Sequence, residues 1–263
     1  MHVHALLDSN IAYQASAGRL TGRTTLDVWA CAGSVIELGS KITDAATLAE
    51  TQRRLSRLLS LVDDRILPDP DTLLVWYMDT ALPKDVVTYW ATLARTIAAA
   101  QTYADVEDTA ELLRAARAAQ RALFEEGVRD IIRRVNPNAD FANWNVKLPE
   151  KQADEFRARL WSPDALRDFV ASFLLRRTPA PSDAAIRAAI PFLEPTYRVY
   201  RGMLDTVIRN GEKLRVNDGI DLMLALPLWQ QDWIVVTDDA RLRGFAARGE
   251  VPVGRFRALS ELL

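Results

Sequence analysis

Apolar and polar positions follow two different rhythms along this chain. Near the start, Val3-His4-Ala5-Leu6-Leu7 is a short apolar run closed by Asp8, and near the end Trp233-Ile234-Val235-Val236 is another, closed by Thr237-Asp238-Asp239. Short continuous apolar runs of this kind, the second rich in β-branched residues, read as buried strands. Elsewhere the spacing is helical. Leu222, Ala225, Leu226 and Trp229 recur on one face of a helix that opens at Asn217 or Asp218. Ser9-Asn10 caps a predicted helix through Ile11, Tyr13 and Gln14, stopped by Gly18. Ser34, three residues before Glu37, has capping-box spacing, which predicts a helix starting there with Glu37 in its first turn.

Between these ends, from about residue 41 to 211, the chain is rich in Ala, Leu, Arg and Glu and carries almost no strand signal. The pattern predicts helices over 45–62, 83–100 and 106–135, and one from Ser162-Pro163-Asp164, a cap followed by proline, to Arg177. Residues 73–78 fit a short strand or a helical turn equally. Residues 178–182, with two prolines, read as a connector, followed by helices over 183–189 and 195–210 that end at Gly211. After the second acidic cluster, a short helix over 240–248, an edge strand at 251–253 and a terminal turn at 259–263 complete the reading. The organisation expected is one α/β domain over 1–263, in which 1–40 and 212–263 form the α/β core around a largely helical insertion.

Composition narrows the class. The chain has 263 residues, 49% of them apolar, so a sizeable core can form. No run of about 18 uncharged apolar residues occurs, and with Asp8 so early the start lacks a signal-peptide pattern, so the expectation is a cytoplasmic protein with no membrane partner. The single cysteine, Cys31, excludes an internal disulfide and a Cys-rich zinc site, and a net charge of −2 gives no overall field for a polyanion. Arg114, Arg117 and Arg121 share a helix face, but interleaved acids make a solvated face the better reading than a nucleic-acid track. The tryptophans read as core packing, and His2 and His4 as incidental.

The acids are the candidate chemistry. Singly, each has a structural explanation: Asp8, Asn217, Asp218, Asp238 and Asp239 can cap helices, Asp221 suits a first turn, and Glu37 can be a solvated helix residue. Together they stand at strand ends and helix starts, which border one crevice in an open α/β sheet. Asp8 in Leu6-Leu7-Asp8-Ser9-Asn10, Glu37 before Leu38, Asp221 with Ala225 four residues on, and Thr237-Asp238-Asp239 in this order resemble the PIN-domain nucleases, a family of metal-dependent ribonucleases. The likeness covers the first 40 or so residues and the last 70. It implies a three-layer α/β/α PIN-like fold with a central, mainly parallel sheet and a large α-helical insertion.

It also implies a Mg²⁺- or Mn²⁺-dependent endoribonuclease that hydrolyses RNA through a metal-activated water and leaves a 5'-phosphate and a 3'-hydroxyl. Oxygen-only ligands suit those ions better than zinc. Asp8, Glu37, Asp221 and Asp239 are the expected catalytic metal ligands, with Asp218 as a fifth, and Asn10, Thr237 and Asp238 stand behind them or against substrate. The family leaves room for an inhibitory protein partner and a homodimer. The rival readings are a non-catalytic PIN-like scaffold that binds a protein, and a Mg²⁺-dependent phosphatase. The second would want an acid two residues after Asp8, where Asn10 stands.

Overall fold

The computed structural model describes residues 3–9, 11, 26–78, 84–175, 180–215 and 217–262. Asn10 and most of the helix expected after Asp8 lie outside the described residues, as do His2 and residues 176–179 at the end of the helix begun at Ser162 and the start of the connector. The chain divides into two compact units, one of Met1–Gln120, Gln230–Asp239 and Gly254–Leu263, the other of Arg121–Trp229 and Ala240–Val253. These units cut the chain at other points than a core of 1–40 and 212–263 with an insertion between. Residues 41–120 go with the sheet, and 212–229 and 240–253 with the second unit.

The first unit is built on an all-parallel sheet. Its strands are β1 (Val3–Leu7), β2 (Leu26–Cys31), β3 (Ile66–Leu67), β4 (Trp233–Val236) and β5 (Phe256–Arg257), in the order β3-β2-β1-β4-β5. β1 is central, with Ala5 paired to Val28 of β2 and to Ile234 of β4. Side chains alternate between faces along each strand, yet Ala5, Leu6 and Leu7 are all buried, as are all four residues of β4. Burial on both faces is why these strands appear in the sequence as unbroken apolar runs. β3 and β5 are two residues long and leave no such trace. The edge strand expected at 251–253 is absent there, with Val253 fully exposed; the sheet's edge comes later, at Phe256–Arg257.

One face of the sheet carries Ala5, Leu7, Val28, Ala30, Ile234 and Val236 into a single apolar cluster. Helices α1 (Ala32–Gly39), α2 (Ala45–Val62) and α4 (Lys84–Ala99) supply the other side, through Val35 and Leu38, Leu55 and Leu58, and Ala94 and Ile97 respectively. The 73–78 stretch is resolved as helical, within α3 (Pro70–Met78). α1 starts two residues before the Ser34 signal. Cys31, the last residue of β2, is its N-cap, so Ser34 lies inside the helix with its hydroxyl 3.6 Å from Cys31 Sγ, and Glu37 falls beyond the first turn.

Helix α5 (Glu107–Val135) contributes its first residues to this unit and the rest to the second. The second unit contains α6 (Glu150–Leu160), which has no counterpart in the sequence reading, α7 (Pro163–Leu174), α8 (Asp183–Asn210), α9 (Asp218–Leu222) and α10 (Ala240–Arg248). α8 is one helix where two were expected: it runs through Pro191 and Pro195. A proline inside a helix costs about 3 kcal/mol, which the burial of Leu193, Tyr197, Val199, Met203, Leu204 and Val207 offsets. Gly202 on α8 lets α10 approach so closely that a Cβ there would stand 2.0 Å from the Phe245 carbonyl oxygen. The helix expected from Asn217 lasts only through Leu222 and then tightens into a 3₁₀ stretch, Met223–Trp229, containing Pro227. No helix among the described residues is long and apolar enough to cross a membrane.

Candidate active site

The strand order reverses at β1: the chain steps outward from β1 to β2 and β3, then returns to the other side of β1 as β4 and β5. Parallel sheets of this kind bind ligands outside the carboxyl ends of the strands at such a reversal, because the loops leaving two neighbouring strands diverge there and open a crevice. Asp8 follows the last residue of β1, and its N–H donates to the Val236 carbonyl at 3.0 Å, which extends the ladder one residue beyond the strand. Thr237 follows β4, fully buried, and donates its hydroxyl to Asp8 Oδ2 at 2.7 Å. The same hydroxyl accepts the Asp239 N–H at 3.0 Å. Thr237 therefore ties the backbone leaving β4 to the carboxylate leaving β1.

Glu37 joins them from α1, which begins without a loop at the end of β2. Ser9 places one hydroxyl against both acids: its Oγ is 2.5 Å from Glu37 Oε2 and 3.3 Å from Asp8 Oδ1. Asp8 is 3% exposed and Glu37 7%, so two carboxylates share one hydroxyl out of water. Such a pair needs compensating positive charge or a retained proton. Lys41 provides it, with Nζ 2.9 Å from Glu37 Oε1, and Arg117, which donates to Ser40 Oγ at 2.9 Å, adds a second positive charge. Burial pushes the Glu37 carboxyl up, but the hydrogen bonds from Ser9 and Lys41 and the charges of Lys41 and Arg117 outweigh it and hold the group below the usual carboxylate range. Burial, reinforced by the charge of Asp8, pushes the thiol of nearby Cys31 up.

The structure thus joins Thr237 to Asp8 directly and Asp8 to Glu37 through the Ser9 hydroxyl, and attaches Asp239 by its backbone. Asp239 itself is half-buried. Asp238 is engaged elsewhere, its Oδ1 accepting the Leu259 N–H at 3.0 Å and holding the last turn of the chain. Asp218 and Asp221 belong to the second unit. Asp218 is buried and accepts from Arg241 Nη1 at 3.2 Å and from the Arg215 N–H at 2.8 Å, a pairing that closes the loop before α9. Asp221, on the same short helix, is half-buried.

Among the described residues, no group of three or more His, Cys, Asp and Glu side chains is close enough together to hold a metal ion. Two buried carboxylates are nevertheless a donor set of the right chemistry for a small hard cation. Mg²⁺ keeps several of its waters and is held by one or two carboxylates, whereas zinc would want nitrogen or sulfur.

Three residues of the site escape a search for acids. Ser9 reads as a cap, yet its hydroxyl is the link between the carboxylates. Lys41 stands four residues after Glu37, a spacing at which opposite charges meet on a helix, and that signal could have found it. Arg117 reads as part of a solvated face, but both it and Arg114 are half-buried, and Arg114 donates to the Ile42 carbonyl. These two arginines clamp the end of α1. No protein-family model, curated protein or solved structure matches the chain.

Proposed function

We propose that the chain is a Mg²⁺- or Mn²⁺-dependent hydrolase of RNA phosphodiester bonds, on a PIN-like frame with helices on both faces of the sheet. The observation that carries this reading is the pair of buried carboxylates, Asp8 and Glu37, meeting at one hydroxyl at the point where the strand order reverses. Ordinary helix caps are exposed and cost little to satisfy; two enclosed acids with matched cations are a costly arrangement for structure alone. RNA as the substrate class comes from the resemblance of Asp8, Glu37 and Thr237-x-Asp239 to the PIN-domain pattern.

In this reading Asp8 and Glu37 hold the ion, which supplies Lewis acidity to the phosphodiester and to the hydrolytic water. Thr237 fixes the orientation of Asp8 by its 2.7 Å hydrogen bond, leaving the other oxygen, Oδ1, toward Ser9 and Glu37. Ser9 orients Glu37 in the same way. Asp239, anchored through its N–H to Thr237, is the next acid along the strand end. Burial of the pair keeps bulk water from diluting their charge.

The test is cleavage of end-labelled single-stranded RNA with Mn²⁺ or Mg²⁺, in native protein and in Asp8→Asn and Glu37→Gln, with an EDTA control. Metal-dependent cleavage in the native chain, abolished in both variants and by EDTA, is the expected result. A second reading, a non-catalytic scaffold, is favoured by one observation: Lys41, Ser9 and Thr237 already satisfy both acids without an ion. Absence of cleavage together with absence of divalent-ion binding in calorimetry would put that reading ahead of the hydrolase.

A further inference from the structure

We infer that the second unit carries a surface for single-stranded RNA, formed by the loop 136–149 and the end of α5. The two units differ in charge. The sheet unit contains 13 Lys and Arg against 19 Asp and Glu, the helical unit 20 against 16. The net charge of −2 for the whole chain therefore hides a helical unit in which cations are in excess, and that is the unit a polyanion meets favourably. The inference takes its substrate class from the hydrolase reading above, but it concerns binding, which needs neither a metal ion nor Asp8 and Glu37.

Residues 136–149 join α5 to α6 with no helix or strand beyond one isolated bridge between Asp140 and Asn145. Connections of that length are uncommon in compact units and are usually functional when ordered. This one is held in shape. Asp140 accepts the N–H groups of Ala142 and Asn143 at 2.9 and 3.3 Å and the Asn143 amide at 2.7 Å. Trp144, in the left-handed region at φ 51°, donates its Nε1–H to the Glu212 carbonyl at 2.7 Å. Phe141 thereby stands edge-on to Trp144, with ring centroids 6.0 Å apart. The guanidinium carbons of Arg129 and Arg133 lie 5.7 and 5.3 Å from the Phe141 centroid. Acids fix both cations there: Glu126 and Asp130 stand 2.9 and 2.8 Å from Arg133, and Glu125 3.8 Å from Arg129. With those charges balanced locally, the group offers stacking surface, half-buried rings and planar guanidiniums on which an unpaired base can lie whatever its identity. Charge for the backbone phosphates comes from Arg134 and Lys147, both exposed and with no acid partner among the described residues. An acidic protein would use those charges but has no use for the stacking surface, and this favours RNA.

The test is fluorescence anisotropy of a labelled oligouridylate in EDTA, which keeps metal-dependent cleavage out of the measurement, with the native chain, Phe141→Leu, Phe141→Tyr and the double variant Arg134→Gln/Lys147→Gln. Leucine keeps an apolar side chain in the loop and removes the ring; tyrosine keeps the ring. The expected result is salt-sensitive binding by the native chain, weakened about fivefold or more in Phe141→Leu, as for the loss of one stacked base, and retained in Phe141→Tyr. The double variant should flatten the slope of log affinity against log salt by about one to two phosphate contacts. Native-like binding in Phe141→Leu would overturn the surface. Displacement of the labelled RNA by polyglutamate as readily as by unlabelled RNA would overturn it too, and would mark an acidic protein as the occupant. Absence of binding by the native chain in EDTA would likewise overturn it, while metal-dependent cleavage in the separate assay would leave the hydrolase standing. Binding that depends on Phe141, in a chain that cleaves under no condition, would keep the surface and remove the hydrolase.

Discussion

The contact between the two strand ends can be tested by removing one hydroxyl. Thr237 is fully buried, its Oγ1 donates to Asp8 Oδ2 at 2.7 Å, and it accepts the Asp239 N–H at 3.0 Å. Thr237→Val keeps the shape and deletes both bonds. A hydrogen bond to a charged group contributes about 1.5 to 3 kcal/mol, and a buried N–H left without its acceptor costs about 1 to 3 kcal/mol. The two losses share one site and will not sum fully, so the expected destabilisation is about 2 to 4 kcal/mol. With a urea m-value of about 2 kcal/mol/M, the midpoint should fall by about 1 to 2 M. Thr237→Ser keeps the hydroxyl and loses a methyl, and should cost no more than about 1 kcal/mol. Urea unfolding followed by tryptophan fluorescence reads all three proteins, since Trp29 and Trp233 lie in the same unit as Thr237. If Thr237→Val unfolds within about 0.5 kcal/mol of the native chain, the hydroxyl does not bridge the strand ends and the argument for a site at the reversal point loses its geometry.

Two further perturbations test the charge balance and the packing. The Glu37 carboxyl is held below its unfolded value of about 4.3, so its stabilising contribution is present above that value and is lost as the pH falls through the folded one. The native chain should therefore exceed Glu37→Gln in urea midpoint by more at about pH 7 than at about pH 3; a gap that does not shrink on acidification contradicts the assigned direction. In the second unit, Gly202→Ala would drive a Cβ to 2.0 Å from the Phe245 carbonyl oxygen and 2.6 Å from Gly249 N, both backbone atoms that cannot rotate away. Thermal unfolding should show a loss of about 3 kcal/mol or more, while Gly244→Ala on α10, with open space around its added methyl, should gain up to about 1 kcal/mol.

How much of this was legible in the sequence depends on the range of the interaction. β1 and β4 could be read because strand positions enclosed on both faces are apolar, and the change to Asp8 and Thr237 marks where the strands end. α2 was legible to the residue because its apolar stripe is local. Ser34 misled because the helix is started by the end of β2, not by a side-chain cap, and the two prolines of α8 misled because a long buried face outweighs a broken hydrogen bond. Other pairings join residues far apart in sequence and cannot be read from spacing. Arg117 reaches Ser40 across 77 positions, Thr237 reaches Asp8 across 229, and Asp218 is claimed by Arg241 across 23.

That difference in range changes which residues matter at the candidate site. A search for carboxylates finds Asp8 and Glu37, because acids at strand ends and in apolar settings stand out. It passes over the groups that make their burial affordable: a serine next in sequence, a lysine one helical turn on, and an arginine from a distant helix. Removing an acid tests the proposed site; replacing Lys41 tests the charge balance that keeps Glu37 enclosed. A protein that folds its acid pair around its own cations needs no metal to be stable, so a stable metal-free chain counts neither for nor against the hydrolase. The deciding quantity is divalent-ion binding by the native chain against Asp8→Asn and Glu37→Gln, and it is measurable before any substrate is known.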